Sequence, residues 1–305
     1  MKIATVTLNP AIDRNIIYKS SLKVGELNRV EPAVINAGGK GINVSRMLKR
    51  LDTDTYVYGL NGGRTGRMLE DILGEEGIKC SFTPTICETR MNVKITDADG
   101  KETEINENGG PVREDEFKEL MNTLTSSDAD VFIIGGSTPN GLKADTVRRI
   151  TAALKLRGKK VITDISGSSL VEAVEARPYL IKPNRDELCQ LLGYTPENHV
   201  KEAIDFYNRT GIEIILTLGK KGACYSGRAG NYRIINPEVQ AKGFSGAGDT
   251  FLASYVYGVC NEMDIRSALR FASAASLSKV CLSGTNLPDK KMIEENLSRV
   301  EITEI

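Results

Sequence analysis

From about residue 130 the chain repeats one pattern: a strand-length run with no polar face, then apolar residues at helical spacing. Val131-Phe132-Ile133-Ile134 stops at Gly135-Gly136, and Leu142, Thr146, Val147, Ile150 and Leu154 then recur at helical spacing. Lys160-Val161-Ile162-Thr163-Asp164 is followed by a helix near 168–175, and Tyr179-Leu180-Ile181-Lys182 by a helix from Arg185. A further helix over 197–209 leads into Ile212-Glu213-Ile214-Ile215-Leu216-Thr217. Strands that are apolar throughout must be covered on both faces, and strands joined through helices run parallel. The pattern predicts an α/β fold, with a mostly parallel central sheet between helices on both faces.

Two stretches break this rhythm. Residues 12–34 and 90–107 read as period-two strands. In the second, Met91 to Thr96 and Lys101 to Ile105 flank Asp97-Ala98-Asp99-Gly100, a hairpin signal. Neither stretch can be a helical crossover, so together they predict a small antiparallel β sheet beside the main one, a lid. No repeat, low-complexity tract or composition shift marks a second globular unit, and 40% hydrophobic residues suffice for one large core. The expectation is a single domain over 1–305, with a lid formed by segments near 12–34 and 90–107. Residues 265–282, apolar on nearly every helical face, predict a buried helix.

Charge and scarcity exclude several function classes. Forty Lys plus Arg balance 40 Asp plus Glu without a basic stripe, which argues against nucleic acid as a partner. No apolar run approaches the ~20 residues that span a bilayer, so no membrane partner is expected. Met1 to Val6 enters a strand without a leader pattern, and the expectation is a cytoplasmic chain. Six widely spaced cysteines then read as reduced thiols. His199, at a helix start, is the only histidine, so no His-Glu-x-x-His zinc site exists. Any chemistry falls to carboxylates, lysines, arginines and backbone amides.

Four segments carry such groups, although neither a P-loop nor a Gly-x-Gly-x-x-Gly motif occurs. Gly38-Gly39-Lys40-Gly41 opens a helix marked by Val44, Leu48 and Leu51, where exposed amides, Lys40 and Asn43 form either an anion or polyol site or an ordinary tight loop. Gly246-Ala247-Gly248-Asp249 precedes an apolar helix. Its amides offer an anion hole for a transferring phosphoryl group, and Asp249 is either a proton acceptor or a stabilising first-turn acid. Lys182-Pro183-Asn184-Arg185-Asp186-Glu187 reads as a capping box, or as Asn184 and Glu187 ordering the waters of a Mg²⁺. Thr217-Leu218-Gly219-Lys220-Lys221-Gly222 lies at a strand end, where open α/β sheets bind ligands.

In this order the segments resemble the phosphofructokinase-B branch of the ribokinase family of carbohydrate kinases, over essentially the whole chain. The resemblance also rests on Thr7-Leu8-Asn9-Pro10-Ala11-Ile12-Asp13, Glu88-Thr89-Arg90, Gly136-Ser137-x-Pro139-x-Gly141 and Asp164-Ile165-Ser166-Gly167. It implies the ribokinase-like three-layer fold and an ATP- and Mg²⁺-dependent sugar kinase. The opening motif and the Gly-Gly-Lys-Gly turn look most like the subgroup acting on fructose 1-phosphate or tagatose 6-phosphate. Rival readings are a kinase for an unphosphorylated sugar or nucleoside, and a regulator that keeps the fold without catalysis.

By position, Asp249 is similar to the family's catalytic base and Gly246, Ala247 and Gly248 to its anion hole. Asp13, Gly38, Gly39 and Asn43 match the sugar site, and Lys40, Arg90 and Arg29 match cationic contacts to the substrate phosphate. Lys182, Asn184, Thr217, Gly219 and Gly222 match the nucleotide region, and Glu187 matches a Mg²⁺ contact through water. In some members two lids pair, which brings a homodimer through the lid within what the resemblance implies. One departure is Gly243-Phe244-Ser245, where the family often has Asp-Thr-x. Loss of that Asp, which helps hold a monovalent cation in potassium-dependent relatives, argues against K⁺ activation.

Overall fold

Every residue of the first strand, β1 (Ile3–Thr7), is buried, because it lies inside the main sheet with helices on both sides. The computed structural model describes residues 1–305. After β1 come β2 (Ala11–Ile17), β3 (Val34–Gly38), α1 (Lys40–Arg50), β4 (Thr55–Asn61), α2 (Gly63–Glu75) and β5 (Lys79–Pro84). Next are β6 (Arg90–Thr96), β7 (Glu102–Asn106) and α3 (Glu114–Ser126). The regular alternation follows: β8 (Val131–Gly135), α4 (Thr146–Leu156), β9 (Lys160–Asp164), α5 (Ser168–Glu175), β10 (Leu180–Ile181), α6 (Arg185–Leu192), α7 (His199–Thr210) and β11 (Glu213–Thr217). The chain ends with β12 (Ala223–Gly227), β13 (Gly230–Ile235), α8 (Ala247–Cys260), α9 (Ile265–Val280), α10 (Lys290–Leu297) and β14 (Glu301–Glu304).

The main sheet has ten strands in the order β14-β13-β12-β11-β10-β9-β8-β1-β4-β5. All pairings from β11 to β5 are parallel, and β12, β13 and β14 add an antiparallel edge. Alternate residues of each strand face opposite layers. Val131 and Ile133 join α1, α8, α9 and α10 in one apolar cluster, while Phe132 and Ile134 join α3 to α7 in the other. The three-layer α/β expectation is met. No helix is long and apolar enough to cross a membrane, and the six cysteines are free.

The small sheet runs β3-β2-β6-β7. Its outer pairs, β2 with β3 and β6 with β7, are antiparallel, whereas the central β2–β6 pair is parallel. The reason lies in the main sheet. β2 continues the chain from β1 and β6 from β5; β1 and β5 point the same way, so their continuations also run side by side. Residues 12–34 are not strand throughout, because β2 ends at Ile17 and β3 begins at Val34. Between them Asn28 folds the chain on itself: its Nδ2 donates to the Lys23 and Glu26 carbonyls, and its Oδ1 accepts from Lys23 N. Ile12, Ala37 and Ile42 join Val57, Leu69, Leu73 and Ile78 in a third apolar cluster beneath the small sheet.

Candidate active site

The chemistry-bearing residues collect at the C-terminal ends of the parallel strands, where an open sheet leaves a crevice. Asp164 ends β9, Lys182 follows β10 and Thr217 ends β11. The start of α8 points into the same place. Gly246 caps that helix with φ 75°, a left-handed conformation that suits glycine. The first-turn amides of Gly248 and Asp249 therefore have no partner within the helix. A Cβ on Gly248 would lie only 3.2 Å from Lys182 Nζ, so the bare glycine lets the ammonium rest against this turn.

Asp249 is 8% exposed, and Asn43 of α1 donates to its Oδ2 at 2.7 Å. Beside it lies Asp164, 1% exposed, with Lys40 Nζ 3.0 Å from Oδ1 and Lys182 Nζ 3.0 Å from Oδ2. Lys40 Nζ is also 3.7 Å from Glu187 Oε1. Burial raises the Asp249 carboxyl above its ordinary range, and the Asp164 charge adds to this; Asn43, Lys182 and Lys40 pull the other way. For Asp164 burial again works upward, but Lys182 and Lys40 prevail and hold it low. Burial alone would lower the Lys40 ammonium, yet Asp164, Glu187 and Asp249 together raise it. The arrangement keeps Asp164 ionised between two ammoniums and leaves Asp249 the more basic carboxylate.

On one side of the crevice, Ala247 and Gly248, which precede Asp249, line a cleft of about 690 Å³ with Asn184, Thr217, Gly219 and Gly222. Asn184 and Glu187 form the expected capping box of α6: Asn184 Oδ1 accepts from Glu187 N at 2.8 Å, and Glu187 Oε2 accepts from Asn184 N at 2.9 Å. Asn184 also pairs with Thr217 across the strand ends. Gly222 has φ 83°, and a Cβ there would strike the Ile234 carbonyl. Pro237, Val239, Phe251 and Leu277 add an apolar wall, which no local sequence signal announced.

The other side is polar. Asn92 donates to Asp13 Oδ1 at 2.8 Å, and Gly38 lies so close that a Cβ would come within 2.5 Å of the Asp13 carboxylate carbon. Arg90 donates through Nη1 to the Glu107 carbonyl at 2.8 Å and through Nε and Nη2 to the Asn9 carbonyl. Burial lowers its pKa, with Asp13 and Glu107 opposing. Its position is fixed by the two preceding residues. Glu88 accepts from the Arg64 and Thr65 amides at the start of α2, and Thr89 N donates to the Gly62 carbonyl. From the small sheet, Lys94 of β6 donates to Ser245 Oγ at 2.7 Å, joining that sheet to the turn before Gly246.

Most residues singled out in the sequence meet here, but two do not behave as the motifs implied. Lys40 is turned to Asp164 and Glu187 rather than sharing an anion with Arg90, because these two buried carboxylates, only one of which has a second cation in Lys182, attract it. Arg29 stands apart, exposed on the 18–33 connection. Gly39, with φ 121°, caps α1 and brings Lys40 and Asn43 to the crevice. Sequence reasoning gave no role to Asp164, Asn92 or Lys94. Asp164 lay within a quoted motif, whereas Asn92 and Lys94 are ordinary strand residues. His199 touches Cys189 Sγ at 3.6 Å, away from these groups.

Comparison with known proteins points the same way. The model of the pfkB family carbohydrate kinases matches residues 6–292. A 1-phosphofructokinase of Bacillus subtilis is 33% identical over 99% of this chain and 100% of its own length. One from Escherichia coli is 30% identical over 99% and 98%. The crystal structure of Escherichia coli phosphofructokinase-2 in complex with substrates and products superposes with a TM-score of 0.92 at 25% identity, over 98% of this chain and 99% of that one. With a family model over nearly its full length, a matching fold and a glycine-Asp turn against a buried lysine, the chain belongs to the pfkB family of carbohydrate kinases.

Proposed function

We propose that this protein transfers the γ-phosphoryl group of ATP to a ketohexose phosphate, converting fructose 1-phosphate to fructose 1,6-bisphosphate. One observation carries the reading: Asp249 directly follows Gly248 of the Asn184–Thr217 cleft, and it is held by Asn43 of the same segment whose Gly38 packs against Asp13. A base between a nucleotide site and a sugar site is what phosphoryl transfer to an alcohol requires. Relatives named 1-phosphofructokinase, similar over the full chain, support the choice of substrate.

In this reading Arg90 neutralises the sugar's own phosphate, and Asp13, Gly38, Gly39 and Asn43 orient its hydroxyls. ATP lies along Thr217, Gly219 and Gly222, with its phosphates toward Asn184, Lys182 and Lys40. The acceptor oxygen attacks the γ-phosphorus, its proton passes to Asp249, and the bond to ADP breaks. Charge developing on the transferring group meets the Gly248 and Asp249 amides at the head of α8, with Lys182 behind them.

No three His, Cys, Asp or Glu side chains converge into a cage, and Glu187 Oε1 has no hydrogen bond beyond the Lys40 ion pair. That donor set fits a hydrated Mg²⁺ carried by the nucleotide and contacted by Glu187 through water. When bound, Mg²⁺ neutralises phosphate charge. Gly243-Phe244-Ser245 offers no carboxylate to a monovalent cation, so turnover is independent of K⁺. The small sheet acts as the lid of one domain over 1–305, latched by Lys94 on Ser245. Its exposed Ile17, Val34, Ile35 and Ile105 make it the surface through which two copies pair.

The test is ADP release with MgATP and, in turn, fructose 1-phosphate, tagatose 6-phosphate, fructose 6-phosphate and fructose, with and without K⁺. Preference for fructose 1-phosphate is expected. Equal rates on fructose would remove the phosphate-binding role of Arg90, and inactivity on all four would overturn the reading.

A further inference from the structure

Two lysines of this molecule are almost wholly buried, Lys182 and Lys279. Lys182 is paired with Asp164. Lys279, 2% exposed in the last turn of α9, has no carboxylate in ion-pair range; its ammonium donates to the Gly284 carbonyl at 2.7 Å. Buried lysines are rare unless paired, because an ammonium loses its hydration there. A methionine would fill the same space without that penalty, so the charge itself needs an explanation.

Its surroundings supply one. Lys279 Cε lies 3.5 Å from where a Cβ on Gly246 would stand. The adjacent Val280 carbonyl accepts from Lys242 N at 2.7 Å, which ties the segment leading to Gly246 to the end of α9. Ser276, Leu277 and Val280 line the nucleotide cleft and Lys279 does not, so the ammonium lies behind the cleft wall. Burial lowers its pKa and Lys94 and Arg46 lower it further, while Glu102 and Asp249 oppose them.

We propose that Lys279 is a built-in cation of the phosphoryl-transfer site, holding the 242–246 turn against the 281–287 loop and placing fixed positive charge behind the Gly246–Gly248 amides. It touches neither substrate and acts through the turn it supports, which makes it a positioning residue. The inference rests on the kinase reading above and adds a cause for K⁺ independence: a side chain already supplies positive charge beside this turn.

The experiment compares wild type with Lys279→Ala and Lys279→Met in the ADP-release assay, with Na⁺, K⁺, ammonium or methylammonium as the only small cation. Wild type should respond to none of them. Lys279→Ala should lose about 10- to 100-fold in kcat with little change in the KM of the sugar phosphate, and recover several-fold with K⁺ or ammonium, which fit the vacated space. Lys279→Met, which fills that space, should stay impaired in every salt while its melting temperature matches or exceeds that of wild type. Unchanged kcat in Lys279→Ala overturns the inference. So does a loss that follows the melting temperature and no cation relieves, since that is a structural role. An active wild type with either result removes Lys279 alone, whereas an inactive wild type removes the kinase reading and this inference with it.

Discussion

Replacing Asp249 by Asn removes a proton acceptor and leaves the shape of the site intact. The amide oxygen can still accept from Asn43 Nδ2, the one hydrogen bond the carboxylate side chain makes. A positioned general base is worth about 10²- to 10⁴-fold, or about 2.7–5.4 kcal/mol of barrier at 1.36 kcal/mol per tenfold. Burial and the Asp164 charge raise Asp249, which makes it the stronger base, while Lys40 and Lys182 oppose full neutralisation. The expectation is therefore a fall of about 10³-fold in kcat, with both KM values within about threefold. Stability should move the opposite way. With its folded pKa raised, Asp249 destabilises the fold above the ordinary carboxylate value of 3.8, increasingly as pH rises toward the folded value. Asp249→Asn should then melt higher than wild type at neutral pH, and the gap should close as pH falls below that ordinary value. The ADP-release assay and a series of thermal melts across pH read both effects. Turnover within tenfold of wild type, or KM values rising as much as kcat falls, would refute the assignment of Asp249 as base.

The sugar side and the buried ion pair give three further expectations. Arg90→Ala should raise the KM for fructose 1-phosphate about 10- to 100-fold, the scale of a charge-assisted contact worth about 1.5–3 kcal/mol, and leave the low rate on free fructose unchanged; equal weakening toward both sugars excludes a phosphate contact. Gly38→Ala drives a methyl to 2.5 Å from the Asp13 carboxylate carbon, an overpacking of about 1–3 kcal/mol, and should weaken sugar-phosphate binding while the KM for ATP holds, as steady-state titration of each substrate would report. Asp164→Asn takes the buried ion-pair partner from Lys182 and leaves Lys40 with Glu187 alone, and should destabilise the protein by about 3–5 kcal/mol. Because Lys182 and Lys40 outweigh burial and hold the folded Asp164 carboxyl low, its stabilisation is full above the ordinary carboxylate range and fades as pH falls through the depressed value. Denaturation at neutral and strongly acid pH should show a large gap between variant and wild type that closes only in acid.

How far the sequence was legible depends on the range of the interaction. β8, β9 and β11 could be read because an apolar run bounded by glycine or charge carries its own instruction, and α5 matched its expected span over 168–175. The antiparallel edge gave no such signal, since β13 and β14 are short and only partly buried, and β12, though wholly buried, is the weakly apolar run Ala-Cys-Tyr-Ser-Gly. The period-two signal of β2 and β6 was likewise legible, but their parallel pairing was set by the direction of β1 and β5, far off in sequence. Residues 18–33 misled because Asn28 satisfies the backbone locally, a choice that hydrophobic alternation does not register. In the site, glycine turns announced close approaches of the backbone: Gly38 stands against the Asp13 carboxylate and Gly248 against the Lys182 ammonium. Partnership was illegible: the motif around Lys40 gave a cation, not the carboxylates that claim it. Lys279 was hidden by its company, a charge in the last turn of a helix otherwise read as core.

The charges around Asp249 also explain why the site has this composition. Lys40 and Lys182 face Asp164, Glu187 and Asp249, so these groups alone carry one more negative than positive charge. A site with that balance would repel a bare triphosphate, yet stripping out Asp164 to correct it would free both lysines to collapse onto Asp249. Salt bridges from the lysines would then hold the base ionised and low, and a carboxylate in that state is a poor acceptor for a sugar hydroxyl. In the proposed reaction Asp164, by occupying both ammoniums, keeps them in place for phosphate while sparing the basicity of Asp249. The remaining negative charge is what makes a nucleotide accompanied by its divalent cation, rather than the nucleotide alone, the species this crevice suits.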